Sequence, residues 1–211
     1  PDAAGAPPPG LALGALAHYV AIVTATGTVT VKVNAALTLK GVVTDGPIAN
    51  AVVTAKVGTQ SFTTTADAQG AYSLTVQTGT PTDAVSLAAT GVGTQANVKL
   101  NAVLGDLASL YRQANQGVLA GTGITHYSTA LAALLTEANA NQAPTTVAQV
   151  ASLGRSLSTD RLVDLATAIK LVVDKGVALP SGVADTAALV QDPGSSAALK
   201  AFLAQQQALP D

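Results

Sequence analysis

Apolar and polar positions follow two different periods along the chain. Thr28, Val29, Thr30, Val31, Lys32 and Val33 alternate strictly, which sets the three valines on one side of an extended strand. Comparable runs predict strands over 37–44, 50–57, 60–65, 71–77, 84–90 and 96–100. Turn chemistry separates several of them: Asp45-Gly46-Pro47, Gly58-Thr59, Asp67-Ala68-Gln69-Gly70 and Gly79-Thr80-Pro81. Short strands at this spacing predict an antiparallel sandwich.

From Asn101 the period changes to that of a helix. Leu104, Leu107, Ala108 and Tyr111 recur at helical spacing, as do Leu131, Leu134 and Leu135 behind Ser128, which reads as their N-cap. A short helix is expected over 145–153. The clearest is 158–175, where Leu162, Leu165, Ala166, Ile169 and Val173 form one stripe. Asp160 stands near its start and Lys175-Gly176 at its end, as caps and the macrodipole prefer. Asp192-Pro193 opens a last expected helix that runs to about 207. The expected fold class is therefore α+β: an antiparallel β-sandwich followed by a helical half. A Pro/Ala-rich leader occupies 1–17, the sandwich with an N-terminal β arm 18–100, and the helical region 101–211. No Pro, Gly or Ser run separates the halves near Lys99-Leu100-Asn101-Ala102, so they can pack as one unit. Val53, Phe62, Tyr72, Leu74, Val76, Leu87, Leu104, Leu131, Leu165 and Ile169 are the expected core.

The segment Leu39-Lys40-Gly41-Val42-Val43-Thr44-Asp45-Gly46-Pro47-Ile48-Ala49-Asn50-Ala51-Val52-Val53-Thr54, with Ala66-Asp67-Ala68-Gln69-Gly70-Ala71-Tyr72-Ser73-Leu74, resembles the carboxypeptidase regulatory-like (transthyretin-like) β-sandwich of exported bacterial proteins. In that reading the fold is an antiparallel Ig/transthyretin-like β-sandwich, in which Gly41 lets the first strand bend, Asp45-Gly46-Pro47 and Asp67 to Gly70 make turns, and Tyr72 and Leu74 point inward. The helical half, with Thr125-His126-Tyr127-Ser128-Thr129-Ala130-Leu131, is similar to the region that follows such a domain in some bacterial surface lipoproteins. The resemblance implies an accessory or structural module and carries over no catalytic residue.

Composition then changes the picture. Only 10% of the residues are charged, 48% are hydrophobic, and the mean hydropathy is +0.40. A globular domain is closer to a quarter charged. Thr, Ser, Gln, Asn and Ala must therefore face water, or another molecule must cover the surface. The net charge of −2 gives no basic footprint for nucleic acid. The absence of cysteine excludes disulfides and thiolate metal sites. No run reaches the roughly 18 apolar residues of a membrane span, so no transmembrane segment is expected. A chain beginning Pro1-Asp2-Ala3-Ala4 suits a processed N-terminus, hence an extracellular or cell-surface protein with its signal peptide removed.

Candidate chemistry is sparse. His18 and His126 lack ligand partners at metal spacing. His126-Tyr127-Ser128 invites a Ser-His reading, but Ser128 has the plainer task of capping a helix. Asp160 and Asp164 share a helix face without an aromatic sugar platform, since the chain has no Trp. Gly91-Val92-Gly93 and Gly121-Thr122-Gly123 lack the Lys-Ser/Thr that a phosphate loop needs. The expectation is no catalytic residue, no cofactor, no metal and no enzymatic activity.

The segment 18–33 remains unexplained. As one strand it would reach roughly 50 Å, too long for a small sandwich. It either turns near Gly27 as a hairpin or bent edge strand, or leaves its subunit and completes a neighbour's sheet. Tyr19, Val20, Ile22, Val23, Val29, Val31 and Val33 are the subunit-contact candidates. The expected function is an exported structural protein that self-assembles, into filaments, by donating its N-terminal strand to another copy of itself. The alternative is a cell-surface accessory module for glycan or peptidoglycan, for which Tyr111 and Tyr127 would supply the aromatic contact.

Overall fold

The computed structural model describes residues 17–24, 27–34, 36–44, 46–77, 80–191 and 196–207, and for 17–34 it describes the backbone alone. The leader before residue 17, Asp45, Gly79 and the Asp192-Pro193 helix opening lie outside the described residues.

The segment that was too long for one strand turns on itself. β1 (Ala17–Thr24) and β2 (Gly27–Asn34) pair antiparallel from Ala17↔Asn34 to Thr24↔Gly27 and form a two-stranded sheet of their own. β-branched residues at 20 and 22 on one arm and at 29, 31 and 33 on the other suit paired strands. The expected alternative of a turn near Gly27 is thus the conformation found, and β1 spends one of its two edges inside its own chain.

Two further sheets follow. β3 (Ala36–Val42) is the centre of a three-stranded sheet, antiparallel to β6 (Ala71–Gln77) and parallel to β9 (Val118–Ala120). β4 (Val52–Val57), β5 (Gln60–Thr65), β7 (Ala84–Thr90) and β8 (Lys99–Asp106) make a four-stranded antiparallel sheet in the order β5-β4-β7-β8. Alternate residues of both enter one core: Leu37, Leu39, Leu74 and Val76 from the first, and Val53, Ala55, Val57, Leu87 and Leu100 from the second, all buried. Of the expected core, Phe62, Leu104 and Leu131 are only partly buried. Phe62 stands on the edge strand β5, which accounts for its exposure.

Helices α1 (Leu107–Gln113), α2 (His126–Ala138), α3 (Val147–Gly154), α4 (Thr159–Lys175), α5 (Thr186–Val190) and α6 (Ala197–Gln207) complete the fold. Their buried residues, among them Leu134, Leu165, Ile169 and Leu189, join the same core. Asp106, Thr125, Thr146, Ser158 and Asp185 cap the first five, each accepting a backbone N–H three residues on. Ser128 is therefore not the N-cap of α2. Thr125 is, and Ser128 is its reciprocal partner, returning a hydrogen bond from the Thr125 N–H at 2.9 Å.

The expected start of the helical region at 101 is also corrected. β8 continues to Asp106, so Leu104 is a strand residue, because a bulge opposite Val85/Ser86 absorbs the break in alternation. Gly105 ends the bulge at φ 115°, and an added Cβ would stand 2.4 Å from the Val147 nitrogen. Asp106 then caps α1 through Ser109 and also accepts the Val147 N–H at 3.2 Å, tying α3 to the same corner. Burial works to raise its carboxyl, but these hydrogen bonds win and hold it below the ordinary carboxylate value.

Gly41 has a different role from the expected one. Its φ is ordinary, so no bend requires it. Instead a Cβ there would lie 2.1 Å from the Thr122 carbonyl oxygen. The same carbonyl accepts the Tyr72 hydroxyl, whose oxygen lies 2.8 Å from the Thr122 hydroxyl. Tyr72 points inward as expected, and its phenol ties the segment after β9 to β6. Burial pushes that phenol up to about 12, against the pull of the Thr122 hydrogen bond. The unfolded chain ionises near 10 and the folded one near 12, so this stability is complete below pH 10 and lost as the pH rises through that interval. Spectrophotometric titration should show phenolate absorbance arising near pH 12, and Tyr72→Phe should remove that component while costing about 1–2 kcal/mol.

Candidate assembly interface

Sheet edges decide what this fold can pair with, because an edge presents unpaired backbone groups. The described sheets offer three edges of six residues or more beyond the hairpin: β8, β5 and β6. They are treated differently.

The β8 edge is closed by hydroxyls from the helices. Asn101 donates its N–H to the Thr129 hydroxyl at 2.8 Å, and its carbonyl accepts the Ser128 hydroxyl at 2.7 Å. Two residues back along β8, the Thr186 hydroxyl accepts the Lys99 N–H at 2.9 Å and donates to the Lys99 carbonyl at 2.5 Å. Thr186 also donates its own N–H to the Asn97 carbonyl at 3.1 Å. The Lys99 ammonium pairs with Asp185 at 2.8 Å. Burial raises the Asp185 carboxyl, but Lys99 and the α5 N–H groups outweigh it and hold it low. Helices α2 and α5 thus satisfy in hydroxyls what another strand would satisfy in amides. Sequence reasoning missed Thr129 and Thr186; a threonine leading directly into the apolar run of a helix, Ala130-Leu131 in one case and Ala187-Ala188-Leu189 in the other, is the signal that could have found them.

The β5 edge carries no such cover among the described strands: β5 is hydrogen-bonded to β4 alone. Ala66 donates to the Ala51 carbonyl at 2.9 Å, which fixes the alternation. The backbone groups of 60, 62 and 64 face β4, and those of Ser61, Thr63 and Thr65 face outward. The strand contains no charge and no Pro, the usual guards of an edge.

The hairpin supplies the complementary piece. Its register sets Val20, Ile22, Val29, Val31 and Val33 at positions on one face, with His18, and Tyr19, Ala21, Val23, Thr28, Thr30 and Lys32 on the other. The expected contact residues therefore divide: Tyr19 and Val23 fall on the more polar face. β2 ends one residue before β3, whose two sides are already occupied by β6 and β9. The residue between allows at most about 7.6 Å of reach. A place beside β6 lies about 9.5 Å from β3, so Asn34 cannot stand next to its own β6.

The remaining candidates are brought to no common site. His126 is the first residue of α2, near Lys170 and Asp174 of α4. The Ser128 hydroxyl is committed to the Asn101 and Thr125 carbonyls. Tyr127 is exposed, while Tyr111 packs against the core. Among the described residues no cluster of three or more His, Asp or Glu could hold a metal, and no helix is long and apolar enough to cross a membrane. A cleft of about 480 Å³ between β7, β8, α2 and α5 is lined largely by alanines, with Lys99 and Asp185 at its wall. Burial and the Lys170 cation hold the His126 imidazole below its ordinary value of 6.5, against the opposing pull of Asp174. Between the two values only the unfolded chain takes the proton. Stability is thus complete above pH 6.5 and falls as the pH drops toward the folded value. Chemical denaturation from pH 7 to 5 should show this loss, and His126→Asn should flatten it.

No family model, curated protein or solved structure matches the chain.

Proposed function

We propose that this is an exported structural protein that assembles with copies of itself through its N-terminal hairpin, on a transthyretin-like sandwich. The observation that carries the reading is the hairpin: sixteen paired positions in a separate sheet, tethered by one residue to a strand with no vacant side. An isolated two-stranded hairpin is marginal in water and gains most by adding to a larger sheet. The 10% charge of the chain agrees with a surface that is covered in use. The extracellular placement rests on the resemblance of 39–54 and 66–74. A hairpin given to one neighbour while another is received is a head-to-tail contact, which propagates into filaments. Sedimentation velocity across a concentration series tests this. Species that grow with concentration are expected, and a monomer at every concentration overturns the reading.

A further inference from the structure

Resting on that reading, we infer that the acceptor is the open edge of β5, and that β1 of one copy adds to it as a fifth strand of the four-stranded sheet. Three observations select β5. The β8 edge is excluded by the Thr129, Ser128 and Thr186 hydroxyls. On β6 the inward residues Tyr72, Leu74 and Val76 are already buried, so an added strand there covers little. On β5 the inward residue Phe62 is only partly buried, and a strand laid alongside would complete its cover. The occupant fits this edge. Phe62 and Thr64 continue the core-facing row of Val53, Ala55 and Val57, and the hairpin face of Val20 and Ile22 extends that row by one strand. Ser61, Thr63 and Thr65 then share the outer face with Tyr19, Ala21 and Val23, and the outward backbone groups of β5 gain their ladder. Neither β1 nor β5 carries Lys, Arg, Asp or Glu, so no like charge opposes the pairing. β1 is preferred to β2 because β2 is tied through one residue to its own β3.

The chain has no cysteine, which makes disulfide trapping in the full-length protein direct. Thr63→Cys is mixed with Tyr19→Cys, Ala21→Cys or Val23→Cys, a set that spans the neighbouring registers, and oxidised under non-reducing electrophoresis. Neighbouring strands fall within the Cα separation a disulfide accepts, whereas a strand further in does not. The expected result is a heterodimer with Thr63→Cys and none with Lys56→Cys on β4. Thr75→Cys on β6 serves as the competing edge. Trapping at Thr75 rather than Thr63, or association with no trapping at Thr63, overturns the β5 assignment and leaves self-assembly standing. A full-length protein that is monomeric in sedimentation overturns the assembly reading itself. Thr63→Lys adds a second readout: an edge charge should raise the association midpoint about tenfold with an unchanged melting temperature. An unchanged midpoint also overturns the assignment.

Discussion

Gly41→Ala is expected to destabilise the protein by about 3 kcal/mol or more, a large part of the roughly 5–15 kcal/mol that holds a domain together. The added Cβ would meet the Thr122 carbonyl oxygen at 2.1 Å and its carbon at 2.6 Å. Both are backbone atoms, so no rotamer change relieves the contact. The segment cannot withdraw without loss. Thr122 donates its N–H to the Lys40 carbonyl at 3.1 Å, and Ile124 donates to the Val42 carbonyl at 2.9 Å. Withdrawal would also strand the buried Tyr72 hydroxyl, which Thr122 receives. One methyl therefore acts on β3, the segment after β9 and Tyr72 together. Urea denaturation measures the effect, and Gly123→Ala, whose nearest contact would be an ordinary 3.6 Å, serves as the comparison. A loss of less than 1 kcal/mol at Gly41 would mean that the segment from Gly121 to Ile124 is held more loosely than these bonds imply.

That residue also shows where the sequence was legible. β5, β6 and β7 have the bounds that their alternation predicts, and α4 begins behind Ser158 and ends at Lys175 before an αL Gly176. These are local signals: period, cap and turn residue. The Asp67 turn is equally local, with one carboxylate oxygen accepting the N–H groups of Gln69 and Ala71. What the chain hid depends on distant partners. Gly41 is glycine because of residue 122, not because of its own dihedrals. β9 is three residues long and exists as a strand because β3 offers it an edge. β8 outlasts the expected boundary because a bulge and Val147 accommodate Gly105. The five residues of α5 are too few to show a period, and their weight lies in Thr186, which closes an edge 87 residues away. The interface was legible in part. Alternation marked 18–33 as strand-forming, but the two readings of it shared the same residues, and only the register joins Val20 and Ile22 to Val31 and Val29 on one face.

Ile22→Asp should therefore dissolve the assembly while leaving the monomer folded. Ile22 pairs with Val29 on the apolar face of the hairpin, next to the Val20–Val31 pair. Burying an Ile side chain in an interface contributes roughly 1.5–3 kcal/mol, and desolvating a carboxylate in its place costs several more. A loss of about 3 kcal/mol corresponds to an association constant on the order of a hundredfold lower. The fold itself should be little changed, since among the described residues the larger sheets and the helices fill a core with each other's side chains. Thermal melts of the two proteins at a concentration where both are monomeric should then coincide. Thr30→Asp places the same charge on the opposite face, across from Ala21. Its effect should be much smaller, because that face remains toward water and Thr30, on β2, is held one strand away from β5 when β1 is laid along it. Sedimentation equilibrium of the three proteins separates the cases. Equal weakening by both substitutions would point to net charge rather than to the face. Unchanged association of Ile22→Asp would remove the hairpin from the interface, and the sparsely charged surface would then need another partner to cover it.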